Sequence, residues 1–208
     1  MIDMINQVFD FNDYNLKKEN TMLVIVDMVN GFLTQGALAS PRCAEIIPQV
    51  RKLLILTLEN QIPVLAFADS HRPDSPEFRS FPVHCLENTP ESEIEDSLQA
   101  LLDQVGNVRI IPKNSTNGFF APDFQKYLWI HPELQNFIVC GVCTDICVMQ
   151  FALTLQAWAN QNQKKLNIFI PVNAVATYDA PGHDAESLQK VALEIMQQAG
   201  INLINFLR

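Results

Sequence analysis

Positive charge is what this 208-residue sequence has little of: 14 Lys and Arg stand against 23 Asp and Glu, a net charge of −9. No basic face large enough to collect phosphates can be drawn from that balance, which excludes nucleic acid as a partner. Long apolar runs are missing too. Stretches such as Met22 to Val26 and Leu53 to Ile55 fall far short of the roughly 20 residues that span a bilayer, so no membrane segment is expected. Asp3, Asp10 and Asp13 come before the first lysine, the reverse of a secretory leader, and a cytoplasmic location is the expectation. Cysteine is odd in number, five, and no second Cys-x-x-Cys accompanies Cys140-x-x-Cys143. A disulfide framework and a closed structural zinc site are both disfavoured by that count.

What is present is a core. With 48% hydrophobic and 18% charged residues, the chain can bury a globular interior, and its length suits a single domain over residues 1–208 with a polar lead-in over 1–20. Met22 to Val26 is apolar without alternation, as in a strand buried on both faces, and it ends in Asp27. Pro63 to Phe67 reads as a second strand ending in Asp69, Val108 to Ile111 as a third followed by Lys113, and Asn136 to Cys140 as a fourth that turns at Gly141. Ile168 to Val172 and Ile201 to Ile204 complete six strands.

Helical periodicity fills the spaces between them. It runs from Pro41 through Leu58, over residues 91–104 with Ile94, Leu98, Leu101 and Leu102 inward, from about Asp145 to Asn160, and from Ala185 to Ala199. Residues 70–90, with Pro73, Pro76, Pro82 and Pro90, form a long loop. Strands alternating with helices predict an α/β fold, a three-layer α/β/α arrangement around a six-stranded parallel sheet.

Ligands of such sheets bind beyond the carboxyl ends of the strands. Asp27, Asp69, Lys113 and the Cys140 to Cys147 turn all lie there. Cys147 opens a helix, where unpaired N–H groups and the positive end of the dipole favour a thiolate. In the same turn the N–H groups of Cys143 and Cys147 can face an oxyanion. The competing reading, in which Cys140, Cys143 and Cys147 are small buried hydrophobes, stays open. A second constellation is Asp69-Ser-His71, then Glu77, then His84. Asp-x-His on an extended segment places both side chains on one face, so that they can share a cation. Imidazole with carboxylate suits zinc first, with manganese or iron as alternatives. Either Glu77 or Asp74 can supply a further ligand, while His131 and His183 fall outside both groups.

Together these motifs resemble the isochorismatase-like cysteine hydrolases. The resemblance runs from about residue 20 to the C-terminus and rests on Asp27 in Val24-Ile-Val-Asp-Met-Val-Asn-Gly-Phe32, Lys113 in Ile111-Pro-Lys-Asn-Ser-Thr-Asn-Gly-Phe119, and Cys147 in Gly141-Val-Cys-Thr-Asp-Ile-Cys-Val148. It implies an Asp27, Lys113, Cys147 triad, a cis peptide before Cys143 and an oxyanion hole at the N–H groups of Cys143 and Cys147. Asp69-x-His71 followed by Phe81-Pro-Val-His84-Cys85 is similar to nicotinamidases within the family, in which one divalent metal holds the pyridine nitrogen. Many nicotinamidases carry a third His where this chain offers Glu77. The resemblance further implies nicotinamide as the small-molecule substrate, Phe32 and Phe81 as rings flanking it, a role in NAD salvage, and homo-oligomers as a possible assembly. Rival expectations are an amidohydrolase of the same fold acting on an aliphatic amide, and a silent binding domain.

Overall fold

The computed structural model of the protein describes residues 15–104 and 106–205; the lead-in expected over residues 1–20 lies outside them as far as residue 14. In chain order the elements are β1 (Thr21–Val26), α1 (Asn30–Leu33), α2 (Pro41–Ala44), α3 (Ile47–Glu59), β2 (Val64–Asp69), α4 (Asp96–Leu102) and β3 (Val108–Lys113). There follow α5 (Pro122–Ile130), β4 (Asn136–Val142), α6 (Met149–Gln161), β5 (Asn167–Pro171), β6 (Val175–Ala176), α7 (Ala185–Gln198) and β7 (Asn202–Ile204).

The sheet is parallel, in the order β3-β2-β1-β4-β5-β7, with β6 pairing β4 beyond the end of β5. The six expected strands are all there, and the two-residue β6 is an addition too short to carry a periodic signal. All six residues of β1 are buried, and its side chains alternate between two cores. Leu23 and Ile25 join Val50, Leu53, Leu54 and Leu98 on one face, whereas Met22, Val24 and Val26 join Phe124, Phe151 and Leu155 on the other. Helices on both faces of the sheet give the α/β/α layering. Edge strand β3 tolerates Pro112 because an edge leaves N–H positions outside the ladder.

Three helical expectations are corrected. The segment from Pro41 is two helices, broken around Glu45 and Ile46. Residues 91–104 hold a helix only over Asp96–Leu102, after a 3₁₀ turn at Pro90–Ser92; Ile94 instead bridges Val29, and Leu101 is half-buried. The helix expected from Asp145 begins as a π-helical turn, Thr144–Val148, and becomes α-helical at Met149. In α5 Pro122 is the first residue, a position where its missing N–H costs nothing, so the proline starts a helix within a segment read as loop.

Strand order reverses between β1 and β4: the chain moves outward through β2 and β3 on one side and through β5 and β7 on the other. The ends of β1 and β4 therefore flank the switch point at which open α/β sheets form their crevice. Val26 is in register with Gly141 there. Gly141 has φ +115°, and a Cβ on it would overlap the Val26 carbonyl oxygen. Gly141→Ala is expected to cost at least about 2 kcal/mol through overlap and left-handed strain. In a thermal melt that lowers the midpoint by roughly 4 °C or more for a chain of this size.

Candidate active site

The last residues of β1, β2 and β3 and the turn after β4 converge. Asp27 follows β1 in the left-handed region, φ 52°, with its N–H donating to the Phe67 carbonyl of β2 at 3.1 Å. Asp69 ends β2 and is in register with Lys113 at the end of β3. Lys113 Nζ lies 2.6 Å from Asp69 Oδ1, 2.9 Å from Asp27 Oδ2 and 2.9 Å from the Ser115 carbonyl. Its N–H groups donate to Asp69 Oδ1 and the Ser115 carbonyl, and Asp27 stands beside it as a charge partner. All three charged side chains are buried. The resemblance pairs Lys113 with Asp27; its shorter contact with Asp69 joins the two constellations and is visible only once the strands are in register.

Burial pushes the Asp27 carboxyl up to about 7, against the opposing pull of Lys113. Asp69 is as buried, yet the Lys113 ammonium beside it holds it far below the carboxylate range. Lys113 stays protonated well above its ordinary value: burial works against its charge, and the two carboxylates outweigh burial. Cys147 is 6% exposed and within reach of Asp27. Burial, with Asp27 and Asp69 close by, pushes its thiol well above the usual range, although Lys113 pulls the other way. These surroundings favour the thiol over the thiolate, and the neighbour that can take its proton is Asp27.

Cys147 sits in the π-helical turn. Ile146 and Val148 N–H both return to the Cys143 carbonyl, at 3.2 and 3.1 Å. The Val142–Cys143 peptide is cis. Cys140 is wholly buried in β4, Cys85 is buried in the same core, and Cys43 is buried next to Cys143.

The second constellation also assembles. His71 Nε2 and His84 Nε2 lie 2.9 and 3.1 Å from the same atom, Asp69 Oδ2, and 3.7 and 3.9 Å from Glu77 Oε1. Ligand atoms of these four residues all fall within 4.8 Å of one another. Asp74 turns away toward Arg72 at 3.5 Å, so Glu77 is the better placed of the two acids. On the far side of the rings, His84 Nδ1 meets the Pro82 carbonyl at 2.7 Å and His71 Nδ1 meets Asn114 Oδ1 at 2.8 Å. Oxygen acceptors at Nδ1 fix the tautomer that presents a lone pair at Nε2. Two such lone pairs facing one carboxylate oxygen are satisfied by a shared cation, and the donor set fits a borderline divalent ion.

Both groups open on one cleft. Asp69, Glu77 and His84 line one part of it, Cys143 and Cys147 another, and Phe32, Phe81 and Tyr178 add aromatic surface. Phe32 and Phe81 both stand against the His84 ring, with centroids 5.6 and 6.2 Å away. Tyr178 and Thr116 were not singled out from the sequence. Tyr178 follows the two-residue β6, and nothing local to it marks a cleft wall.

The chain matches the Isochorismatase domain over residues 21–205. It belongs to the isochorismatase family. It is 32% identical over 196 residues to Nicotinamidase 1 of Arabidopsis thaliana, covering 86% of this chain and 80% of that protein. The nicotinamidase of Bacillus subtilis has a similar structure, with a TM-score of 0.76, 26% identity, and coverage of 89% of this chain and 99% of that one. The pyrazinamidase of Pyrococcus horikoshii, solved in complex with zinc, has a TM-score of 0.73 at 27% identity, with 90% and 99% covered. These relatives put the chain on the nicotinamidase side of its family. Among the described residues no helix is long and apolar enough to cross a membrane.

Elemental analysis of protein purified without chelator is expected to find one divalent ion per chain, lost in His84→Ala. Asn114→Ala, which removes the partner of His71 Nδ1, should weaken metal affinity by about 10-fold or more.

Proposed function

We propose that this protein is a nicotinamidase, hydrolysing nicotinamide to nicotinate and ammonia with Cys147 as nucleophile. One observation carries the proposal: a thiol beside a raised carboxyl and a four-donor set for a metal ion open on the same aromatic cleft. A flat amide tethered at its ring nitrogen by one group and attacked at its carbonyl by the other needs that pairing. The nicotinamidase and pyrazinamidase relatives support the substrate class.

In this mechanism Asp27 accepts the proton of Cys147 as Sγ bonds the carboxamide carbon. A carboxyl near neutrality is matched to that task, since it can take a proton and later return it. Lys113 keeps positive charge beside Asp27 throughout, which lowers the cost of negative charge on sulfur. The Cys143 and Cys147 N–H groups would stabilise the tetrahedral oxyanion, worth about 3 kcal/mol for a well-placed donor. Collapse breaks the C–N bond, and the proton held by Asp27 leaves with ammonia. Water then attacks the thioester and gives its proton to Asp27, and the sulfur departs and recovers a proton as nicotinate is released.

Asp69, His71, His84 and Glu77 would hold the metal ion, zinc first among the candidates. When bound, it supplies a Lewis-acidic anchor for a heteroaromatic nitrogen. Phe32 and Phe81 would confine the ring, and this anchoring at one end holds the amide close to sulfur at the other. A cytoplasmic place of action in the salvage of pyridine nucleotides goes with this activity.

Ammonia release from nicotinamide tests the proposal. Wild-type protein is expected to turn nicotinamide over, with kcat/KM falling as pH drops through about 7, because protonated Asp27 can no longer accept the thiol proton. Cys147→Ala should abolish turnover while retaining nicotinamide binding by calorimetry. Turnover near the wild-type rate in Cys147→Ala would remove the nucleophile assignment, and preference for an aliphatic amide would remove the substrate.

A further inference from the structure

His183 has no part in the chemistry above, yet it is tied to a residue lining the cleft and to the turn that carries Cys147. Its ring stacks face to face on Tyr178, with centroids 3.8 Å apart and planes 12° apart. Nδ1 lies 3.0 Å from the Tyr178 carbonyl, and Nε2 lies 2.8 Å from Asp145 Oδ2. Both nitrogens are therefore held, and the imidazole plane has no freedom to turn away from Tyr178.

The ends of this arrangement bear on the reaction. Tyr178 lines the cleft with Phe32, Phe81, Cys143 and Cys147. Asp145 belongs to the π-helical turn that presents Cys147. The segment between Tyr178 and His183 is closed on itself: Ala180 N–H donates to the His183 carbonyl at 3.1 Å, and His183 N–H to the Ala180 carbonyl at 2.9 Å. Asp179 Oδ1 accepts from Ala185 N–H at 3.3 Å, pinning the hairpin to the start of α7. A tyrosine on a surface-side connection would ordinarily sample several rotamers; here an imidazole bolted to the nucleophile's turn backs one face of its ring.

We propose that Tyr178 is a specificity-determining wall of the substrate cleft, and that His183, anchored on Asp145, is the positioning residue that holds this wall at a fixed spacing from Cys147. The proposal rests on the nicotinamidase reading and deepens it by naming what selects a flat aromatic carboxamide. A ring already fixed in place loses no rotamer freedom when substrate enters, so preorganisation improves binding of the aromatic substrate without touching the reacting atoms. Neither Tyr178 nor His183 is required for proton transfer. Their loss should therefore appear in KM and leave kcat.

The test is steady-state kinetics on nicotinamide and on isobutyramide, an aliphatic amide, for the wild-type holoenzyme and for Tyr178→Ala, Tyr178→Phe, His183→Ala and His183→Phe. Stacked aromatic pairs are worth up to about 1.5 kcal/mol, so Tyr178→Ala and His183→Ala should each raise KM for nicotinamide about 10-fold, with kcat held within about twofold. Tyr178→Phe keeps the ring and should remain close to wild type. His183→Phe restores a flat backing without the bond to Asp145 and should recover part of the loss. The aromatic-over-aliphatic preference should shrink in both alanine variants. Should His183→Ala fail to fold, the Tyr178→Ala and Tyr178→Phe pair still decides the wall.

KM within about twofold of wild type in both alanine variants overturns the wall and its clamp while leaving nicotinamidase activity intact. A loss of kcat matching the rise in KM overturns the positioning role, since it would place the effect on the nucleophile's turn. Wild-type protein preferring isobutyramide overturns the nicotinamidase reading and this inference with it, and is recognised before any variant is compared.

Discussion

Everything at the strand ends depends on a buried ammonium. Lys113 holds Asp27 at 2.9 Å and Asp69 at 2.6 Å, and all three are cut off from solvent. Burying an unpaired charge costs several kcal/mol, and breaking a buried pair by deleting one partner costs about 3–5 kcal/mol. The three strands that supply these residues are thereby locked in register at their functional end. With two carboxylates for one ammonium the group retains a surplus negative charge. Its distribution is unequal: Asp69, which also meets two imidazoles, keeps its charge, and Asp27 is the one pushed up to about 7.

That division separates two tasks that would otherwise compete. Asp69 shares its oxygens, Oδ1 with Lys113 and Oδ2 with His71 and His84, so it serves the metal donor set and the ammonium at once. Asp27 faces Cys147 without an aligned donor on either oxygen, and Lys113 is its charge partner. Such a carboxyl can exchange a proton with sulfur. Pairs of titratable groups driven apart by environment are a mark of acid–base sites. The topology makes the meeting possible, because β1 and β4 adjoin at the point where strand order reverses.

Much of this was legible in the residues. Met22 to Val26 is apolar without interruption because both faces of β1 are covered, so the strand and the charged residue that follows it, Asp27, could be read directly. Asp69 with His71 needed only the two-residue period of an extended chain. Other features depend on distant partners and have no local sign. The contact between Lys113 and Asp69 spans 44 positions and follows from β2–β3 register. The choice of Glu77 over Asp74 is made by the 3₁₀ turn at Pro76–Arg79. Helix α5 was hidden because Pro122 signals a break as readily as a start. The thiol of Cys147 illustrates competing terms: a helix start favours the thiolate, but burial beside two carboxylates outweighs it.

Cys147 as the atom that carries the acyl group is the central claim, and rapid acid quench during nicotinamide turnover, followed by peptide mass mapping, tests it most directly. A nicotinoyl thioester is expected on Cys147 and on none of Cys43, Cys85, Cys140 or Cys143. Nicotinate accumulating while all five cysteines stay unmodified at every quench time would contradict covalent catalysis by this thiol.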